Sequence, residues 1–132
     1  MQLLVNIDVP DLEAATAFYR DGLGLTVARR FGKMAVEMTG GSSPIYLLKK
    51  AAGSVGAAED RRRYERHWSP VHLDFIVEDV DAASARAVAA GAKVEQAAED
   101  TPYGRLALFA DPFGHGFCLL QFTGAGYDAI AD

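Results

Sequence analysis

The chain has 132 residues, half of them hydrophobic and 23% charged, with a mean hydropathy of +0.03. That balance suits one ordinary folded domain and excludes a disordered acidic tail, a fibrous repeat and a collagen-like chain. Thirteen Lys and Arg stand against 18 Asp and Glu, and a net charge of −5 argues against nucleic acid as a partner. Cys118 is the one cysteine, so neither an intrachain disulfide framework nor a zinc knuckle is available. No apolar run approaches the roughly 18 residues of a membrane helix, and Met1-Gln2-Leu3-Leu4 has no leader character. These features imply a soluble protein of a reducing cytoplasm with no membrane partner. The charge is uneven, at +1 over residues 1–50, +1 over 51–70 and −7 over 71–132. An acidic half can attract a cationic ligand. Helix-start and loop positions account for Glu78, Asp79, Asp81, Glu99 and Asp100 more simply.

In chain order, Val5, Ile7 and Val9 alternate with Leu4, Asn6 and Asp8, the period of a half-buried strand. Asp11 then opens a helix over 11–22 with Leu12, Ala15, Phe18 and Tyr19 on one side. Strands are expected at Thr26–Phe31, Met34–Thr39 and Ile45–Lys49, with turns at Gly32-Lys33 and Gly40-Gly41. Residues 50–70 read as a Gly-, Ser- and Ala-containing linker. Within it Arg61–Trp68 is expected as a short helix or strap, and its four arginines as an anion site or, more commonly, a solvated face. Leu73, Phe75 and Val77 then alternate with His72, Asp74 and Ile76. A helix over 79–90 follows, and then strands at Lys93–Ala97, Arg105–Ala110 and Gly116–Phe122. Asp111-Pro112-Phe113-Gly114 forms the turn between the last two, and residues 123–132 form a tail.

The chain repeats itself. Val9-Pro10-Asp11-Leu12-Glu13-Ala14-Ala15-Thr16-Ala17 aligns with Val77-Glu78-Asp79-Val80-Asp81-Ala82-Ala83-Ser84-Ala85, with five identities in nine positions and three close substitutions. Both copies follow a strand and both run into glycine. The reading is one domain over 1–132, built from two β-α-β-β-β modules at 1–49 and 71–122. The uniformly apolar strand set should face each helix, which sends Asn6, Asp8, His72 and Asp74 to the opposite, cleft-lining face.

These residues carry a family resemblance. Val9-Pro10-Asp11-Leu12-Glu13, Phe18-Tyr19-Arg20-Asp21-Gly22-Leu23-Gly24, His72–Val80 and Asp111-Pro112-Phe113-Gly114-His115 resemble the vicinal oxygen chelate superfamily of glyoxalases, bleomycin-resistance proteins and extradiol dioxygenases. The resemblance implies an α+β glyoxalase-like fold, in which two β-α-β-β-β modules form a curved, barrel-like sheet with the helices outside. It implies a homodimer as well. It also places the superfamily's metal-ligand positions on Leu4, Tyr46, His72 and Cys118. Leucine cannot ligate, tyrosine seldom does, and a lone thiolate prefers soft metals. No metal or other cofactor is therefore expected, although Asn6, Asp8 or Asp74 could complete an altered set around His72.

The expected ligand-binding residues are Asn6, Asp8, Tyr46, His72, Asp74 and Cys118, with Trp68, Tyr103 and Arg105 at the rim. Two aspartates favour a neutral or cationic ligand unless Arg105 turns inward. His72 beside Asp74 is a general-base candidate or simply a cleft histidine. His115 reads as a structural turn residue, and Cys118 as a small buried hydrophobe. Three functions follow. The first is a metal-independent protein that sequesters a small molecule, the second a lyase, isomerase or dioxygenase with an altered metal site, and the third a non-catalytic interaction scaffold.

Overall fold

The computed structural model describes residues 1–132. Its elements run β1 (Val5–Val9), α1 (Leu12–Asp21), β2 (Thr26–Phe31), β3 (Ala35–Thr39), β4 (Ile45–Lys49), β5 (Val55–Ala57), β6 (Asp60–Arg61), β7 (Leu73–Ile76), α2 (Val80–Ala89), β8 (Lys93–Thr101), β9 (Gly104–Ala110) and β10 (Gly116–Phe122). A short 3-10 helix at Gly126–Ala129 follows. The chain divides into two compact units, Met1–Glu65 and Arg66–Asp132.

The first unit holds a four-stranded sheet in the order β1-β4-β3-β2, the second a sheet in the order β7-β10-β9-β8. In each, the first strand pairs in parallel with the last and the other pairings are antiparallel. The internal repeat is thus a repeat of topology. Both helices start as their sequences require. Asp11 Oδ1 accepts from the Ala14 N–H and Asp79 Oδ1 from the Ala82 N–H, each at 3.0 Å, satisfying donors that the first turn leaves unpaired. The second helix exits through Gly91 at φ +114°, a conformation that a side chain would strain.

Each sheet buries its uniformly apolar side. In the first unit Val9, Leu12, Ala15, Phe18, Tyr19, Val36, Met38, Ile45 and Leu47 are all buried. In the second, Phe109 stacks on Phe117 at 5.4 Å between ring centres, and Phe75 meets Phe117 edge-on at 6.0 Å. Gln121 shares the odd-numbered face of β10 with Phe117 and Leu119, and its Oε1 accepts from the Val80 N–H at the start of α2. That bond identifies the odd-numbered face as the helix side.

Several expected boundaries move. Residues 50–70 contain the β5–β6 hairpin, which lies within the first unit, and no helix forms over Arg61–Trp68. Arg62 draws the segment in, because its Nε lies 2.6 Å from Asp8 Oδ2 and its Nη1 reaches Ser54 Oγ and the Val55 carbonyl. The strand that follows α2 is longer than its apolar alternation suggests. Lys93–Thr101 continues past Ala97 because two bulges, at Val94/Gln96 and Gln96/Glu99, absorb the break in pattern. The tail is also structured, with the Tyr127 ring 4.8 Å from Phe122 and 5.1 Å from Tyr103.

Candidate functional site

In the first unit, strand register sets Asn6, Tyr46 and Glu37 abreast across β1, β4 and β3. Glu37 is only 6% exposed. Its carboxylate accepts from Arg29 Nε at 2.5 Å, Arg29 Nη2 at 2.8 Å and the Tyr46 hydroxyl at 2.8 Å. The Arg29 bonds, then the Tyr46 bond, hold its carboxyl down to about 2. Tyr46 is therefore committed to this network, and Phe31 lies 6.1 Å from its ring. Asp8 is engaged by Arg62. Glu37 and Arg29 were missed as site residues. The available signal was a lone charge inside Ala35-Val36-Glu37-Met38.

In the second unit, β7 and β10 pair so that Asp74 lies beside Cys118. Ligand-capable atoms of His72, Asp74 and Cys118 all lie within 4.8 Å of one another, and His72 Nε2 is 3.2 Å from Asp74 Oδ1. Cys118 is 7% exposed. Its thiol is pushed up to about 12, chiefly by burial, then by the charge of Asp74 and a hydrogen bond to it, and last by the charge of Glu95. It is a neutral thiol at physiological pH and a poor nucleophile.

A cavity of about 190 Å³ opens on this cluster, lined by His72, Cys118, Trp68, Val71, Arg66 and Glu95 among others. The bulge in β8 leaves Glu95 as the extra residue between Val94, opposite Phe109, and Gln96, opposite Leu108. This re-aims its carboxylate toward Arg66, which donates from Nε to Oε1 and from Nη2 to Oε2, the latter at 3.0 Å. The Arg66 bond is the main reason the Glu95 carboxyl lies below its usual range. Arg66 reaches it by passing over Gly116, where an added Cβ would stand 2.7 Å from Nη2. Sequence reasoning missed both residues, since Arg66 reads as part of a charge run and a bulge leaves no mark in composition.

The structure places Trp68 at this cavity, 81% exposed. It does not bring Arg105 or Tyr103 there. Arg105 pairs with Gln121 on the helix side of the sheet, and its guanidinium is held by Asp81 at 3.1 Å and Asp100 at 2.9 Å. Tyr103 packs on Tyr127 of the tail. The arginine run forms no shared anion site, because Arg61 donates to the Gly53 carbonyl and Arg62, Arg63 and Arg66 pair with Asp8, Asp60 and Glu95. His115 sits in the turn where Asp111 Oδ1 accepts from the Phe113 and His115 N–H groups.

The superfamily's usual metal set does not fit these residues. Leu4 offers only hydrocarbon, Tyr46 is bonded to Glu37 and Arg29, and Cys118 is a lone buried thiol where such sets use a carboxylate or an imidazole. Of the four positions only His72 is a donor of the kind such sites use, and its Nε2 faces Asp74 Oδ1 at 3.2 Å.

Two successive β-α-β-β-β units, each with its first and last strands parallel, define a protein of the glyoxalase fold. Residues 4–120 match the family model described as a glyoxalase-like domain. The chain belongs to that family, within the vicinal oxygen chelate superfamily. It is similar to the anthracycline biosynthesis protein DauV of Streptomyces sp. (strain C5), with 33% identity over 97% of this chain and 43% of DauV. It spans well under half the length of that relative. A glyoxalase/bleomycin resistance protein/dioxygenase family enzyme from Burkholderia phytofirmans PsJN shares the fold, with a TM-score of 0.72 and 24% identity over 91% of this chain and 97% of that one. The fosfomycin resistance protein FosX of Listeria monocytogenes shares it too, with a TM-score of 0.71 and 20% identity over 93% of each chain. No helix is long and apolar enough to cross a membrane.

Proposed function

We propose that this protein binds a small organic molecule without a metal and sequesters it, rather than transforming it. One observation carries the reading. The cavity of the second unit exposes an aromatic and an aliphatic wall, Trp68 and Val71, beside a few polar groups, His72, Glu95 and Arg66. Sites for drug-sized molecules combine apolar surface with sparse, oriented polar groups in this way. The thiol and carboxylate beside them provide no activated nucleophile, since Cys118 stays protonated. The relation to an anthracycline biosynthesis protein supports a flat, polycyclic or aromatic natural product as the kind of ligand to try first. We place the protein in the cytoplasm as a homodimer, to be checked by sedimentation at micromolar concentration.

The test is elemental analysis of the purified protein followed by thermal melting against a panel of aromatic natural products. A ligand bound only by the native state at 100 times its Kd stabilises it by about 2.7 kcal/mol, a rise of roughly 5–10 °C for a chain of this size. No rise across the panel would favour a scaffold role. Stoichiometric divalent metal would instead favour a lyase, isomerase or dioxygenase. The observation behind that second reading is the mutual proximity of His72, Asp74 and Cys118.

A further inference from the structure

Three features of the second unit bear jointly on which molecules its cavity accepts. First, its cationic group is already neutralised. Arg66 gives Nε and Nη2 to Glu95 and Nη1 to the His67 carbonyl at 2.5 Å. Second, neither cation on the strands of this sheet lines the cavity: Arg105 lies on the opposite face against Asp81 and Asp100, and Lys93, at the start of β8, is not among the lining residues. Third, Asp74 stands beside His72 and Cys118 with no Lys or Arg paired to it, so whenever the His72 imidazole is neutral the polar end of the cavity carries a net negative charge. The exposed indole of Trp68 lies on the same cavity, and an aromatic face attracts cations as well as apolar groups.

We infer that the cavity selects organic ammonium ions, an aromatic or apolar body carrying a protonated amine, with Asp74 supplying the attracting charge from beside His72. This inverts the polarity of a metal centre. Where a cation would draw in oxygen ligands, a carboxylate here draws in a cation. The inference rests on reading the cavity as a metal-independent ligand site. Asp74 does not line the cavity itself, so it is a positioning residue that acts through its field and through His72.

Three probes of one shape and different charge test it: phenethylammonium, hydrocinnamamide and hydrocinnamate, titrated into the full chain by NMR while the Trp68 indole N–H is followed. One charge at about 4–6 Å in a half-solvated site corresponds to roughly a tenfold preference. Phenethylammonium should therefore bind about tenfold more tightly than the amide, and about a hundredfold more tightly than hydrocinnamate, which differs from it by two charges. Asp74→Asn should bring the three within about threefold, and Asp74→Glu should restore the order. A readout without ligand accompanies it. Loss of the Asp74 charge removes one cause of the raised Cys118 value, so Asp74→Asn should speed iodoacetamide alkylation at pH 9, and Asp74→Glu should not. Hydrocinnamate binding as tightly as the amine, or no probe perturbing Trp68 at millimolar concentration, overturns the inference. If neutral or anionic natural products then melt the protein higher, ligand binding stands and only the charge selection falls. Zinc or nickel held by His72, Asp74 and Cys118 removes both.

Discussion

Gly116→Ala isolates the contact that brings Arg66 to the cavity. The new methyl carbon would stand 2.7 Å from Arg66 Nη2 and 3.1 Å from Cζ, against an ordinary separation of about 3.5 Å. The guanidinium must withdraw by about 1 Å, which carries the 3.0 Å bond from Nη2 to Glu95 Oε2 beyond hydrogen-bonding range. Because the two side chains are 41% and 33% exposed, losing the pair costs only about 0.2–1 kcal/mol. Alanine recovers a similar amount by restricting the unfolded chain, since Gly116 is not at positive φ. Stability should hardly move, with a melting temperature within about 3 °C of the parent. The Glu95 carboxyl should respond clearly. It loses the largest cause of its lowered value and rises toward the ordinary 4.5. Carbon-detected NMR titration of Glu95 reads this directly, and Arg66→Met is the matching control. A Glu95 carboxyl that stays low in both variants would refute the reasoning, as would a fall in melting temperature of more than about 10 °C.

Asp79→Ala should cost about 1 kcal/mol by orphaning the Ala82 N–H, read as a shift in the urea midpoint with an unchanged slope; a neutral result would deny the cap. Phe109→Ala, at a ring 1% exposed and stacked on Phe117, should cost about 3–5 kcal/mol, and a loss below about 1.5 would show the second core to be loosely packed. Glu37 has a folded value of about 2 against an ordinary 4.5, so its contribution is complete above pH 4.5 and is lost as pH falls toward 2. Urea titrations across that window should show stability falling with acid, and Arg29→Gln should flatten the fall.

The parts of the fold that rest on period and capping were readable from residues alone. Both helices begin at the aspartates that cap them, and β2, β4 and β10 have the expected bounds. The pairing of His72, Asp74 and Cys118 on one face follows from strand parity once β7 lies beside β10. What could not be read depends on side chains reaching across the chain. Arg62 bonding to Asp8 over 54 positions turned an assumed linker into part of the first unit. Arg105 was assigned to the cavity rim on its place near a strand start, but its parity with Gln121 directs it to α2. Glu95 depended on a bulge, which shifts parity without any change in residue type.

The parallel pairing of β7 with β10 has an evolutionary consequence. Phe75, Phe117 and Leu119 occupy one side of the ribbon and hold α2 in place, while His72, Asp74 and Cys118 occupy the other. Exchanges at the second trio need not disturb the first, so selection can rewrite the chemistry of this face while folding is maintained. The first unit has less such latitude, because its Glu37 sits buried between Arg29 and Tyr46, where loss of Arg29 would strand its charge and loss of Tyr46 would leave it short of a hydrogen bond. In divergent descendants, variation should accumulate on the even-numbered positions of β7 and β10 while the Arg29–Glu37–Tyr46 trio changes together or not at all.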